Sequence, residues 1–229
     1  FYKEFKKNLL KNNFILSEYN QNFEKKFKDF LNVKYCNLVG NGTDALEIAL
    51  ESLNLKKNSE VILPSNTFIA TAEAVLRNGL IPVFCDTEKD KFTLDLKKLT
   101  NKITSKTSAI IVVHLYGIPE KMSEVMKLAK KKNLKVIEDC SQAHGTKINK
   151  KCVGTFGDVG TFSFFPGKIL GGIGDGGCCV TNNKQIHLKI KRIGNHGRLE
   201  KFDHNILGRN SRMDSINSIF LRKKLDFLN

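Results

Sequence analysis

The chain has 229 residues, is 41% hydrophobic and 27% charged, and carries a formal net charge of +15. This length can form one large globular domain or two smaller ones, and apolar runs along the whole sequence exclude global disorder. No apolar stretch reaches the ~18–20 residues of a membrane span, and no signal peptide is evident, so we expect a cytoplasmic protein.

The positive charge is compatible with nucleic acid, an anionic membrane or an acidic small molecule as partner. The lysines are dispersed, as at Lys25/Lys26 and Lys97/Lys98, and most lie on stretches that are typical of solvated helix faces. This distribution argues against a nucleic-acid or membrane partner and remains compatible with an anionic substrate.

Short apolar runs alternate with helical patterns along the chain. The predicted strands are Tyr35–Val39, Glu60–Leu63, Ile81–Phe84, Ala109–His114, Lys135–Glu138, Val159–Phe164 and Gly177–Thr181. The predicted helices are Asn22–Leu31, Thr43–Leu53, Asn66–Asn78, Pro119–Lys132 and Lys184–Ile193. The alternation predicts an α/β domain, and the nearly continuous apolar strands indicate a mainly parallel sheet covered on both faces.

Ligands of such sheets bind at the carboxyl ends of the strands. The segments that follow the first six predicted strands are therefore the candidate functional segments, and several are rich in polar residues and glycine. They read GNGTDA, PSNTF, CDT, LYG, DCSQAHG and SFFPGK.

The segment Gly40–Ala45 follows a predicted strand and opens a helix. Free backbone N–H groups and the helix dipole bind phosphate at such a position, and the Thr43 hydroxyl can add a donor. An ordinary helix start capped by Thr43 is the alternative. The pattern G-x-G-x-x-A also permits a dinucleotide site, but the next strand ends in Pro64-Ser65-Asn66 and lacks the acidic residue that would hold the ribose.

Two other glycine patterns match phosphate motifs only weakly. Gly172, Gly174 and Gly177 spell G-x-G-x-x-G, but they precede a strand instead of joining a strand to a helix. Gly167-Lys168 is followed by Ile169 where a P-loop requires Ser or Thr. We expect these glycines to let the backbone pass close to a cofactor and turn into the next strand.

Glu138-Asp139 ends the fifth predicted strand. One interpretation is a Mg²⁺ ligand, although no second acidic segment is evident nearby. Another is a carboxylate that pairs with a protonated heterocyclic nitrogen. His144 follows five residues later, and a lone histidine is more often structural than catalytic.

Lys168 differs from the other lysines because it lies between apolar residues and glycines. Partial burial lowers the pKa of an amine and makes it nucleophilic. Together with a phosphate cradle (Gly42, Thr43, Ser163) and an aspartate for a ring nitrogen (Asp139), such a lysine fits pyridoxal 5'-phosphate.

The six cysteines form neither C-x-x-C nor a zinc-ligand spacing. Four of them lie in apolar, strand-like runs. We therefore expect buried free thiols in a reducing compartment and no metal.

The chain resembles the DegT/DnrJ/StrS family of sugar aminotransferases, which are fold type I pyridoxal-phosphate enzymes. The resemblance runs from about Phe23 to Leu228 and places eight motifs in family order. These are NGTDALEIAL, PSNTFIATAEAV, PVFCDT, VVHLYG, VIEDCSQAHGT, GDVGTFSFFPGKILGGIGDGGCCVTN, NHGR and GRNSRMD.

The resemblance implies a three-layer α/β/α large domain and a role for each matching residue. Lys168 resembles the lysine that binds the cofactor covalently and moves protons, and Asp139 the carboxylate that keeps the ring nitrogen protonated. Gln142 and Phe68 resemble the groups on the two ring faces. Gly42, Thr43 and Ser163 resemble the phosphate contacts. Asn210 resembles an asparagine that reaches the cofactor of the neighbouring subunit in a homodimer.

The implied reaction moves an amino group, usually from glutamate, to a keto group of a nucleotide-linked deoxysugar in polysaccharide or other glycan biosynthesis. Relatives that dehydrate sugars have histidine in place of Lys168. Ser141, Cys178-Cys179 and Asn217 depart from the common pattern at positions that are not catalytic.

Family members continue past residue 229 into a smaller domain, so the resemblance implies a truncated chain. We expect an N-terminal helical segment (1–22), a cofactor-binding large domain (23–212) and the start of a connecting helix (213–229). The alternatives to an aminotransferase are a catalytically silent or regulatory domain on the same fold, and a nucleotide-sugar oxidoreductase.

Overall fold

The computed structural model describes residues 1–228, which form a seven-stranded sheet between two layers of helices. The helices are α1 (Tyr2–Leu10), α2 (Glu18–Leu31), α3 (Gly42–Ser52), α4 (Ala70–Arg77), α5 (Leu96–Lys102), α6 (Met122–Lys132), α7 (Lys184–Ile193) and α8 (Ser215–Lys224). The strands are β1 (Tyr35–Val39), β2 (Glu60–Pro64), β3 (Ile81–Cys85), β4 (Thr107–Val113), β5 (Lys135–Asp139), β6 (Lys147–Ile148), β7 (Lys151–Cys152), β8 (Val159–Ser163) and β9 (Gly177–Thr181).

The strand order of the sheet is β1-β9-β8-β5-β4-β2-β3, and β6 and β7 form a separate hairpin. The neighbours from β8 to β3 run parallel, whereas β9 is antiparallel to both β8 and β1. The predicted mainly parallel sheet and three-layer α/β/α fold are confirmed. The antiparallel insertion of β9 between β1 and β8 is not predictable from the alternation of elements.

Successive residues of the central strands point to opposite faces of the sheet, as the period of two requires. Val61 and Leu63 pack with α3, α4 and α7 on one face, whereas Ile62 packs with α5 and α6 on the other. On that second face, a further cluster joins β1, β8 and β9 to α2 and α8. Burial on both faces accounts for the continuous apolar runs.

Several helix starts differ from the predicted ones, and polar side chains account for those of α2 and α5. α2 begins at Glu18, four residues early, because Ser17 and Asn20 form a reciprocal capping box. α5 was not predicted, and it begins where Asp95 accepts the N–H groups of Lys97 and Lys98. α4 and α6 begin later than predicted, at Ala70 and Met122, and no side chain caps either start.

The N-terminal and C-terminal helices pack on each other. Asn20 of α2 donates to the carbonyl of Met213 at 2.8 Å and to the Ser218 hydroxyl at 2.9 Å. Arg222 of α8 pairs with Glu4 of α1. These contacts attach both ends of the described chain to the face of the sheet that carries α2.

All six cysteines lie in the described residues as buried free thiols, as predicted for their burial. Burial raises the pKa of the Cys85 thiol to about 11. The other five thiol pKa values are also raised, chiefly by burial. None of the described helices combines the length and the apolar character that crossing a membrane requires.

Glu120 predicts a pH dependence of stability. Burial raises the pKa of this carboxyl from 4.5 to about 7, although it accepts the N–H of Leu94 at 3.0 Å. The folded protein thus holds the proton more tightly than the unfolded chain. The protonated Glu120 carboxyl therefore contributes its full stabilisation below about pH 4.5, and this stabilisation is lost as the pH rises through 7. The loss lowers the free energy of unfolding by about 3 kcal/mol.

Urea unfolding at pH 5 and pH 8 measures how much Glu120 contributes to the pH dependence of the free energy of unfolding. The proteins compared are the wild type, Glu120→Gln and the exposed control Glu124→Gln. We expect the free energy of unfolding to fall less between these pH values in Glu120→Gln than in the wild type. An equal fall in both would contradict the assignment.

Candidate active site

A cavity of about 670 Å³ lies beside the carboxyl ends of β1, β4, β5 and β8. Seven of the eight predicted site residues line it together. These are Gly42, Thr43, Phe68, Asp139, Gln142, Ser163 and Lys168. The parallel topology brings them together because the ends of neighbouring parallel strands meet at one edge of the sheet.

The first turn of α3 forms the floor of a cradle. Asn41 caps the helix by accepting the N–H of Asp44 at 2.8 Å, so the cap is Asn41 and not Thr43. The N–H groups of Gly42 and Thr43 meet no acceptor among residues 1–228. These donors, the dipole of the 11-residue helix and the neighbouring Ser163 hydroxyl suit a phosphate group.

Gly42 packs directly on Ser163. A Cβ atom at position 42 would lie 2.6 Å from the Ser163 Cβ, so a side chain there must displace the helix start or β8. We expect Gly42→Ala to lower the free energy of unfolding by about 2 kcal/mol. Gly174→Ala is the matched control, because a Cβ at position 174 would meet no atom within 4 Å. Equal stability of the two variants in urea unfolding would contradict this contact.

Asp139 and Glu138 end β5 and face opposite sides of the sheet. Asp139 is 7% exposed, lines the cavity and accepts the N–H of Ser141 at 3.0 Å. Glu138 is fully buried on the other side. The two carboxylates therefore do not form a joint Mg²⁺ site.

Glu138 is held by four donors. One oxygen accepts the N–H groups of Phe156 and Gly157, both at 2.7 Å. The other accepts the N–H of Gly154 at 2.8 Å and lies 3.2 Å from Nε2 of His114. Since Nδ1 of His114 accepts the N–H of Glu120, Nε2 carries the proton and donates to Glu138. The potential ligand atoms of His114, Glu138 and Cys140 lie within 4.8 Å of one another. The hydrogen bonds described above satisfy His114 and Glu138 without an ion.

Lys168 lies in an irregular segment between β8 and β9. Its N–H donates to the carbonyl of Phe165 at 2.9 Å, and its half-buried side chain lines the cavity. Phe165 and Asp175, which belong to the same segment, also line the cavity.

The glycines after Lys168 serve close contacts within the protein. A Cβ atom at Gly171 would lie 2.2 Å from the carbonyl oxygen of Pro166, and one at Gly177 would lie 2.4 Å from that of Asn41. These two glycines are thus required by close packing within the protein, and the approach of this backbone to a cofactor stays a prediction.

Gln142 and Phe68 line the cavity from different elements. The Gln142 Oε1 atom accepts the N–H of Tyr116 at 2.9 Å, a residue in the left-handed region with φ 55°. This bond fixes the orientation of the Gln142 amide. The Phe68 ring precedes α4 and is 70% exposed, so a flat ligand could cover it without displacing protein atoms.

His144 is a buried neighbour of the site. Its ring packs on those of Phe162 and Phe164, with centroid distances of 5.5 and 5.9 Å. Burial, with a smaller contribution from the charge of Lys168, lowers the pKa of His144 from 6.5 to about 4. The ring is neutral at neutral pH and does not line the cavity.

Asn210 is exposed and does not line the cavity. The sequence also did not identify the far end of the cavity, where Glu47, Glu73 and Arg77 lie on α3 and α4. Arg77 Nε lies 3.3 Å from a Glu47 oxygen. Glu47 and Glu73 fall within two of the quoted family motifs, but no motif pairs either of them with Arg77, and only the packing of two helices brings the three together.

The topology also excludes a Rossmann dinucleotide site at Gly40–Ala45. In that fold the strands before and after the first helix are neighbours. Here, within residues 1–228, β1 pairs only with β9, and four strands lie between β1 and β2.

Comparison with known proteins places these features in a family. Residues 1–229 match the DegT/DnrJ/EryC1/StrS aminotransferase family. UDP-N-acetyl-3-dehydro-alpha-D-glucosamine 3-aminotransferase of Acidithiobacillus ferrooxidans is 48% identical over 187 residues, which cover 82% of this chain and 51% of that protein. The dTDP-3-amino-3,6-dideoxy-alpha-D-galactopyranose transaminase of Aneurinibacillus thermoaerophilus is 43% identical over 215 residues, which cover 94% and 59%.

A solved structure shows the same fold. The NtdA structure of Bacillus subtilis with bound cofactor PMP superposes with a TM-score of 0.92 at 33% identity, and the match covers 97% of this chain and 51% of that one. The chain thus spans between half and three fifths of the length of these relatives.

Proposed function

We propose, because the chain belongs to the DegT/DnrJ/EryC1/StrS aminotransferase family, that it is the large domain of a pyridoxal 5'-phosphate-dependent sugar aminotransferase. The single observation that carries this proposal is the cavity that gathers Lys168, Asp139 and the cradle of Gly42, Thr43 and Ser163. A primary amine, a carboxylate and an anion cradle are the three groups that this cofactor needs.

The residues present fit the cofactor. The free N–H groups at the start of α3 and the Ser163 hydroxyl would hold its phosphate. Asp139 would pair with the ring nitrogen, and Phe68 and Gln142 would cover the two ring faces. When bound, the cofactor supplies an electron sink that stabilises negative charge on the reacting carbon.

The chemistry of the chain itself centres on Lys168 and Asp139. Lys168 would hold the cofactor through its amine and would serve as base and acid at the substrate carbon. Asp139, with one oxygen fixed by Ser141, holds the ring proton in place. Tyr116 orients the Gln142 amide against the ring.

The substrate class follows from the relatives. The two aminotransferases compared above act on UDP-linked and dTDP-linked amino sugars by their names. We assign this chain an amino-acid donor, glutamate first, and the keto group of a nucleotide-linked deoxysugar as acceptor, in glycan biosynthesis. The net charge of +15 suits a diphosphate-bearing substrate.

The exposed Asn210 suits the role that the resemblance gives it. In a homodimer it would reach the cofactor phosphate of the partner subunit, which completes the cradle of Gly42, Thr43 and Ser163. We further assign residues 23–212 to the large domain and 213–229 to a connection to a second domain, although α2 crosses the boundary at residue 22. The predicted location is the cytoplasm.

A spectrum tests the function. The purified protein mixed with pyridoxal phosphate should develop the visible absorbance band of a lysine-bound cofactor. Adding glutamate should remove that band and release one equivalent of 2-oxoglutarate. A folded protein without the band would favour the alternative of a catalytically silent domain, and a band that persists with glutamate would exclude glutamate as the donor.

A further inference from the structure

The segment 164–176, which carries Lys168, contains no helix or strand and has few backbone hydrogen bonds of its own. Phe164 accepts the N–H of Gly172 at 2.8 Å, and the N–H of Phe164 donates to the carbonyl of Gly176 at 2.7 Å. These two bonds close the ends of the segment 164–176. They leave the backbone on either side of Gly172 to be held by other elements.

Helix α8 supplies those contacts. Asn217, which is 5% exposed, accepts the N–H of Ile173 at 3.1 Å and donates to the carbonyl of Asp175 at 2.9 Å. Lys224 donates to the carbonyl of Gly171 at 2.9 Å. Residues 217 and 224 are seven apart, so they lie on the same face of the helix two turns from each other.

The glycines of the segment fit this helix closely. A Cβ atom at Gly172 would lie 2.1 Å from Oδ1 of Asn217. One at Gly176 would lie 2.6 Å from the Met213 sulfur and 3.0 Å from Nδ2 of Asn217. The Asn217 amide is therefore enclosed by the backbone of the segment on two sides, and no side chain intervenes.

We infer that Asn217 and Lys224 are positioning residues for Lys168, and that α8 acts as a clamp on segment 164–176. The inference rests on the proposed function for the role of Lys168, whereas the clamp itself rests on the contacts above. A reactive amine must be held to within about 0.5 Å of its productive position, and a segment with so few bonds of its own meets that demand only through its neighbours.

Hydrogen exchange of the protein without cofactor tests the clamp. The variants are Asn217→Ala and Lys224→Met, and the control is Lys223→Met on the exposed neighbouring position of α8. We expect amide exchange in residues 171–175 to rise about three- to tenfold in both variants, with the rest of the protein unchanged. Lys224→Arg keeps a donor and should restore slow exchange. Wild-type exchange in Asn217→Ala and Lys224→Met would overturn the clamp.

Titration with pyridoxal phosphate tests the effect on Lys168. The dissociation constant and the pH midpoint of the visible band are measured for the same variants. We expect at least a threefold weaker affinity and a shifted midpoint in Asn217→Ala and Lys224→Met, and wild-type values in Lys223→Met. Wild-type affinity and midpoint in all variants would overturn the positioning role. Absence of the band in the wild type would instead overturn the proposed function, and the exchange data would still decide on the clamp.

Discussion

Replacing Lys168 with alanine is expected to lower the rate of the proposed transamination by about 10⁴-fold or more, because one side chain supplies the nucleophile, the base and the acid. Lys168 lines the cavity together with Asp139 and Ser163. Lys223 and Lys224 of α8 do not line it. No second amine among the cavity-lining residues of the described chain can take its place.

The measurement combines three readings on Lys168→Ala and on the control Lys184→Ala, an exposed lysine at the start of α7. Visible absorbance reports cofactor attachment, and mass spectrometry after borohydride reduction locates it on the chain. The steady-state rate with glutamate and a panel of keto-sugar nucleotides reports activity. We expect Lys184→Ala to match the wild type in all three. Retention of the reduced adduct in Lys168→Ala would refute the assignment of the amine.

Substitutions of the two adjacent carboxylates of β5 are expected to affect different properties, the rate for Asp139 and the stability for Glu138. Asp139→Asn should lower the rate by about 10²- to 10⁴-fold with little change in stability. The asparagine oxygen can still accept the N–H of Ser141, so the fold keeps its contact while the ring nitrogen loses its charged partner. Glu138→Gln should act on stability, because Glu138 lies on the face of the sheet opposite to the cavity.

The cost of Glu138→Gln follows from its donors. Each oxygen of Glu138 faces two N–H groups: Phe156 and Gly157 on one, Gly154 and His114 on the other. The amide NH₂ of glutamine would meet two donors in either orientation. We expect the free energy of unfolding to fall by about 3 kcal/mol.

Urea unfolding and the steady-state rate, measured on both variants, separate the two roles. A stable, inactive Asp139→Asn and a destabilised Glu138→Gln whose folded fraction is active would support the opposite orientations. Loss of stability in Asp139→Asn, or full stability in Glu138→Gln, would contradict them.

The sequence alone determined the seven strands of the main sheet and most of the helices between them, but not α5 or the β6–β7 hairpin. Apolar periodicity placed five of the seven main strands within two residues of their bounds and the other two, Tyr35–Val39 and Gly177–Thr181, without error. Strand ends then identified Asp139, Ser163 and the start of α3 as neighbours, because parallel strands deliver their carboxyl ends to one edge. These signals are local, since each depends on residues a few positions apart.

Tertiary structure decided what joins distant segments. The antiparallel position of β9 between β1 and β8, the contact of Gly172 with Asn217, and the joining of Glu47 to Arg77 across α3 and α4 follow from strand pairing and helix packing. Position 172 shows the physical reason. Its need for glycine is set by the space beside an amide 45 positions later in the chain, and no pattern of neighbouring residues records that space.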